Sequence, residues 1–342
     1  MKVNRKFLRS AERLSLSAIA KDSAAQKIVS AVTAIGFVMQ PVAALASTIT
    51  REPGTGPDVT FNEKGVANVF AGKVVGDVAI NQFKEFKLDA NNIANMYFVD
   101  SNNNSAGNLV NFVNSRIDIN GTVNAIQNEK IGGNLFFFSS DGMAVGKSGV
   151  INAGALYVAT PTKTKFDEYK QFYTTDKFDT IIKDEGFAEI PINASGTISV
   201  LGKVNAVNAV NLRAAKIGVG KNVSNNNIGD VAAGATATYA SIRTGVVDFK
   251  DIVNIGEVKS GLKDNALKAT KDTNSGDIVL AAYNNYNDNY SVKDDFTNIA
   301  GESVEAELTV DQDAVVNAAG KAKLSAKALN NVVVEESDQY PI

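Results

Sequence analysis

Residues 133–162 read GNLFFFSSDGMAVGKSGVINAGALYVATPT. A fully apolar run, Leu135–Phe138, meets a polar turn at Ser139–Gly142, and short strand-type runs then alternate with Gly146, Gly149 and Gly154. Runs this short, bounded by glycine and with no helical period between them, predict strands. Such strands cannot each bury a face alone, so they must stack on copies of themselves.

A loose internal repeat points the same way. Ile119-Asn-Gly-Thr-Val123 and Val200-Leu-Gly-Lys-Val204 both continue Asn-Ala, and Asn254-Ile-Gly-Glu-Val258 is a third, looser copy. Degenerate glycine-valine units are what a stacked solenoid leaves in sequence. The competing architecture is an antiparallel sandwich or barrel, which calls for longer alternating strands and clear two-residue hairpin turns. A solenoid of about ten coils, each about 4.8 Å from the next, would make a rod roughly 50 Å long.

Composition narrows the function. The 342 residues contain no Cys, His or Trp, which excludes a Ser-His-Asp triad, a Cys-His dyad, an ordinary zinc site and disulfide stabilisation. No cofactor is expected. Asparagine is abundant, at 37 residues, and suits turns because it tolerates left-handed backbone.

Residues 1–46 read as a secretory signal peptide. Seven basic residues precede an apolar stretch, Ile28–Val38, then Pro41 and the small-residue site Ala44-Leu-Ala46, placing cleavage before Ser47. The apolar stretch is too short for a comfortable permanent membrane anchor. Cleavage would leave 27 basic against 35 acidic residues, a balance that recruits no nucleic acid. Residues 47–60 are rich in Pro and Gly, and 47–100 form the natural cap for one end of a rod. Residues 162–189 change character, being charged and aromatic, and predict an excursion with a short helix near Lys165–Phe172.

The ordered series Leu135–Phe138, Ser139–Met143, Val145-Gly-Lys147, Val150–Gly154 and Leu156–Thr160 resembles a known pattern. So do Phe83–Leu88 and Asn111–Ser115 through Ile119-Asn-Gly121 upstream. It is that of the two-partner-secretion, or haemagglutination-activity, domain of filamentous haemagglutinin-type adhesins. The family's Asn-Pro pair is absent; Asp141-Gly142 stands in its place and is expected to supply a side-chain-capped turn. That departure and the long signal resemble a divergent, leukotoxin-type branch. The resemblance implies an all-β fold, a right-handed parallel β-helix over 101–342 with an N-terminal β cap. It implies a secreted, virulence-associated surface exoprotein and not an enzyme, threaded through a dedicated outer-membrane transporter of a didermal bacterium. It also implies a host-cell receptor or glycan as final partner. Asn120, Gly121, Asp141, Gly142, Gly146 and Gly154 would carry transport and folding roles. Family members are usually far longer, so the chain is expected to be part of a larger protein.

Two other readings stand beside it. A surface-layer or autotransporter passenger would share the architecture. A β-helical carbohydrate-active enzyme would need convergent acids, for which Asp248, Asp251 and Glu257 near Arg243 and Lys250 are the candidates. Asp288, Asp294 and Asp295 are a weaker Ca²⁺ candidate, set against plain solvent exposure. The aromatic group Phe166, Tyr169, Phe172, Tyr173 and Phe178 is either a binding surface or a pin holding the excursion to the rod.

Overall fold

The computed structural model describes residues 47–174, 177–246, 248–249, 276–284 and 305–328, all within the unit Ser47–Ile342. Its strands form one largely parallel sheet system in which the chain passes repeatedly through three rows, a solenoid-like arrangement. Row one stacks β2 (Val66–Val69), β5 (Ile93–Tyr97), β8 (Thr122–Gln127) and the first parts of β12 (Val150–Ala159) and β14 (Lys203–Ala214). It continues with β16 (Ser241–Arg243) and β19 (Val315–Asn317). Row two stacks the first part of β4 (Val78–Leu88), β6 (Asn108–Val113), β10 (Asn134–Phe138) and the second parts of β12 and β14. β17 (Asp277–Asn284) and β20 (Ala322–Ala328) complete it. Row three joins the end of β4 to β7 (Ile117–Ile119), β11 (Met143–Val145), β13 (Thr197–Val200), β15 (Lys216–Val219) and β18 (Glu307–Val310).

The shared interior follows from register. Val123, Ile151, Val204 and Ile242 align in row one, and Leu109, Leu135, Leu156, Val210 and Ile278 in row two. Ile119, Val145, Val200 and Val219 align in row three, and all thirteen belong to one buried cluster. The first two repeat units occupy equivalent places, and the third, 254–258, lies outside the described residues. Ile119 and Val200 end strands of row three, Gly121 and Gly202 turn the corner, and Val123 and Val204 enter row one.

The apolar run in β10 has a clear physical cause. Leu135 and Phe137 point into the shared interior, whereas Phe136 and Phe138 belong to a second cluster on the outside of row two. A strand buried on both faces loses its polar alternation. The outer cover is the segment between β12 and β13. It holds α1 (Lys163–Lys170), a 3₁₀ turn (Gln171–Thr174), α2 (Phe178–Ile182) and α3 (Asp184–Ala188). Thr162 caps α1 by accepting from the Lys165 N–H. Phe166 and Phe178 pack on Phe112 at 5.8 and 5.7 Å between ring centroids, and Phe187 packs on Phe136 at 6.0 Å. The aromatic group therefore pins the segment to row two.

Among the described residues antiparallel pairing brings in three short strands, besides four isolated antiparallel bridges in the connections. β1 (Thr48–Arg51) and β3 (Lys73–Val75) both pair with β4, covering its otherwise free edge, and β9 (Lys130–Ile131) pairs with β8. Residues 47–100 thus hold two covering strands but also contribute β2, β4 and β5 to the parallel rows. At the last described strands two interior positions are partly exposed, Val310 at 38% and Leu324 at 44%.

The described residues account for part of the ten coils expected. Among the described residues row one has seven strands, so its ends lie about 29 Å apart at about 4.8 Å per step. The early circuits take 27, 29 and 28 residues, but the circuit bearing the helices takes 53. Insertions use chain that a uniform repeat would have spent on further coils.

Candidate functional site

The residues singled out by the sequence motif lie at the corners between rows, distributed over three of them. Asn120 and Gly121 make the corner from β7 to β8, and Gly146 starts the same corner one circuit later. A Cβ on Gly121 would lie 2.6 Å from the Asp89 carbonyl oxygen and 2.9 Å from Leu88 Cγ. One on Gly146 would lie 2.9 Å from Asn120 Cγ and closer still to its Oδ1. Gly202 continues the column against Gly149 and Gly146. Gly146 faces the Asn120 side chain, whereas at Gly121 and Gly202 glycine is needed because successive corners touch backbone to backbone. Gly154 does the same where row one passes to row two, with Gly133 N 2.6 Å from where its Cβ would be.

Asp141 and Gly142 lie at the third corner, from β10 to β11. The Gly142 N–H donates to the Ser139 carbonyl at 3.2 Å, and Gly142 has φ of 96°. The side-chain cap comes from Ser139 where Asp141 was expected. Ser139 Oγ accepts from the Asp141 N–H at 3.3 Å and donates to the Ser115 carbonyl at 2.7 Å. The Asp141 carboxylate stands exposed. The next turn in the column, Asn193–Gly196, bonds Asn193 Nδ2 to the Ser140 carbonyl at 2.8 Å.

Of the cleavage-site residues, Ala44 and Ala46 lie outside the described residues. Ser47 Oγ accepts from the Asp89 N–H at 2.8 Å and from Asn92 Nδ2 at 2.6 Å. That holds it to the same turn against which Gly121 packs.

Two features were not foreseen from sequence. One is Arg51, buried at the covered end. Its guanidinium donates to Asn81 Oδ1 at 2.7 Å and to the Phe70 carbonyl, and lies 5.1 Å from the Phe83 ring centre. Burial lowers its pKa to about 10, against the opposing pull of Tyr173 and Asp58. Asn81 Nδ2 in turn donates to Asn111 Oδ1 at 2.8 Å. An arginine beside a strand-rich cap carries no sequence signal of burial.

The other is a ladder of amides on the outward positions of row one. Asn95, Asn124, Asn152 and Asn205 each donate Nδ2 to the Oδ1 of the preceding member, Asn68 being first, at 3.1, 3.0, 2.9 and 3.0 Å. Asparagine expected in turns thus also works inside strands. The amide has a donor and an acceptor on one planar group, so strand spacing lets each bond its neighbour, as in stacked amide ladders. Recurrence of Asn at 27 to 29 residues was the available signal.

Arg243 and Asp248, candidates for carbohydrate chemistry, line one cleft of about 700 Å³ on row one. Lys250, Asp251, Glu257, Asp288, Asp294 and Asp295 lie outside the described residues. Among the described residues no group of three His, Cys, Asp or Glu could hold a metal ion, and no helix is long and apolar enough to cross a membrane. No protein-family model matches the chain, and no curated protein matches it.

Proposed function

We propose that the chain is the secretion domain of a filamentous adhesin-type exoprotein, threaded through a dedicated outer-membrane transporter of the two-partner type and finishing at the cell surface. On this reading residues 1–46 are the removable signal, and the rows wind as a right-handed parallel β-helix that begins at a β cap. The role is binding and transport, not catalysis.

One observation carries the proposal. From β2 through β12, partners in the parallel rows lie one short circuit before or after in the chain, and the starting edge of β4 is covered by β1 and β3. A chain delivered from its N-terminus can lay each strand on a finished one without waiting for distant sequence. The glycine corners support this, since each turn seats directly on the previous one.

The test is export of the full chain in a didermal host with and without the candidate transporter, with Asp141→Ala and Gly142→Ala as variants. Asp141 is exposed, so its replacement leaves folding intact, and loss of release there marks recognition by the transporter. Gly142→Ala also strains the turn and reports folding. Transporter-dependent release of protein beginning at Ser47 is expected. Release without any transporter, or retention in its presence, would overturn the reading.

A further inference from the structure

The cleft on row one has the makings of a ligand site. It opens beside the last strands, where the amide ladder stops. Arg243 occupies the next ladder position after Asn205, aligned with it strand to strand. Asn205 is 7% exposed and donates Nδ2 to Asn152, yet its Oδ1 has no hydrogen-bond partner among the described residues. An amide that donates along a chain of hydrogen bonds becomes a better acceptor. The buried end of the ladder therefore offers a strong, unused acceptor to the cleft.

Tyr239 stands on the cleft rim, 82% exposed, with φ of 69°. A bulky residue in left-handed backbone is strained, and such strain gathers at functional sites. The loop that presents it, residues 221–240, is held firmly. Buried Asn222 donates Nδ2 to the carbonyls of Asn226, Val231 and Ala232 at 2.9, 3.1 and 3.1 Å, and accepts at Oδ1 from Ser224. The exposed ring is thus presented from a loop held by its own hydrogen bonds.

Lys203 and Arg243 are exposed in the same cleft and have no ion-pair partner among the described residues. Asp248 and Asp313 also line it. The set combines an aromatic face, two cations, two carboxylates and a buried amide acceptor.

We propose that this cleft binds an acidic saccharide, a sugar ring carrying a carboxylate. The apolar C–H face of the ring would lie on Tyr239. Its carboxylate would pair with Arg243, whose planar fork matches that geometry, and with Lys203. Its hydroxyls would donate to Asn205 Oδ1 and to Asp248 and Asp313. Dense polyanions suit the cleft poorly, because the two carboxylates repel closely spaced charge. The inference does not depend on the export reading, since it concerns the folded chain alone.

The experiment titrates the purified full chain with trigalacturonate and with sialyllactose, using calorimetry and saturation-transfer NMR. Lactose is the neutral control and a short polyphosphate the charge control. Saturable binding of at least one acidic sugar is expected, with transfer to sugar ring protons and about tenfold weaker binding of lactose. Which acid sugar binds distinguishes a uronate from a sialate source. Arg243→Gln, Lys203→Gln and Tyr239→Asn should each weaken binding, by about tenfold for Arg243→Gln. Asn accepts left-handed backbone, so Tyr239→Asn removes the ring without disturbing the turn. Melting curves of all variants should match the parent. The proposal is overturned if neither acid sugar binds at about 10 mM, or if lactose or polyphosphate binds equally well. It is equally overturned if the folded variants bind like the parent.

Discussion

The corner column makes a prediction that separates two kinds of crowding. Neither Gly121 nor Gly146 is among the positive-φ positions, so alanine is acceptable to the backbone at both. Restricting the unfolded chain would by itself favour alanine by about 0.4–1 kcal/mol. Contact opposes this. At Gly146 every close atom belongs to the Asn120 side chain, with Cγ 2.9 Å from the added Cβ. At Gly121 the near atoms include backbone carbonyl oxygens, that of Asp89 at 2.6 Å, which cannot swing aside. Overpacking of this kind costs about 1–3 kcal/mol, so both single variants should be less stable than the parent by about 1–2 kcal/mol. Asn120→Ala removes the obstruction at Gly146 only. In that background Gly146→Ala should become neutral or slightly stabilising, a coupling of about 1–2 kcal/mol, whereas Gly121→Ala should keep its full cost. Urea unfolding followed by far-ultraviolet circular dichroism measures all five variants, with constant slope checking that the same transition is compared. Equal cost of Gly146→Ala with Asn or Ala at position 120 would refute the stacked-corner geometry.

Other consequences can be checked on the same protein. Phe137→Ala in the shared interior should cost about 3–5 kcal/mol. Phe187→Ala should loosen the helical cover first, seen as protease cleavage within 162–189 while the parallel rows stay intact. Burial raises the Asp100 pKa, but hydrogen bonds from Asn104, Asn102 and Val74 outweigh it and hold the group below its ordinary 3.8. Its stabilising contribution is therefore complete above about pH 4 and lost as pH falls through the folded value, and acid titration of Asp100→Ala against the parent should show a shallower loss there. Arg51 has the opposite dependence. Burial lowers its folded pKa to about 10, so the cost of burying its charge is relieved as pH rises above about 10. Alkaline titration of Arg51→Met should lack that gain in stability relative to the parent.

The short strands and glycine corners were readable because they follow from chain geometry alone. Gly121 and Gly202 recur in matched settings since every circuit must turn where the previous one turned. Leu135–Phe138 was readable as a strand, but not as one buried on both sides, because its cover comes from residues 163–188. The aromatic group left two readings open, and only packing against Phe112 and Phe136 decided between them. The cap at Asp141 was assigned to the wrong side chain. Ser, Asn and Asp compete for such turns on nearly equal terms, and the neighbouring circuit at Ser115 settled the choice for Ser139. Tyr239 and Asn205 carry no local signal, since one depends on a loop conformation and the other on where a ladder ends.

The stack is built from two classes of contact with different reach. Ladder bonds in row one join residues 27 to 29 apart in the early circuits, so they can form as soon as a circuit is complete. The helical segment instead reaches back to the first residues of the unit. Lys170 Nζ pairs with Glu52, Tyr173 OH donates to the Thr55 carbonyl at 3.2 Å, and Gln82 Nε2 donates to the Lys170 carbonyl at 3.1 Å, across 118, 118 and 88 residues. These contacts become available only after the strands through β12 are in place, since those strands form the floor on which Phe166 and Phe187 rest. Closing loops of that length adds only modest entropy in equilibrium but delays the contact. The covering strands β1 and β3 are therefore seated early and locked late. In a chain supplied from its N-terminus, growth of the rows precedes the step that fastens their starting end.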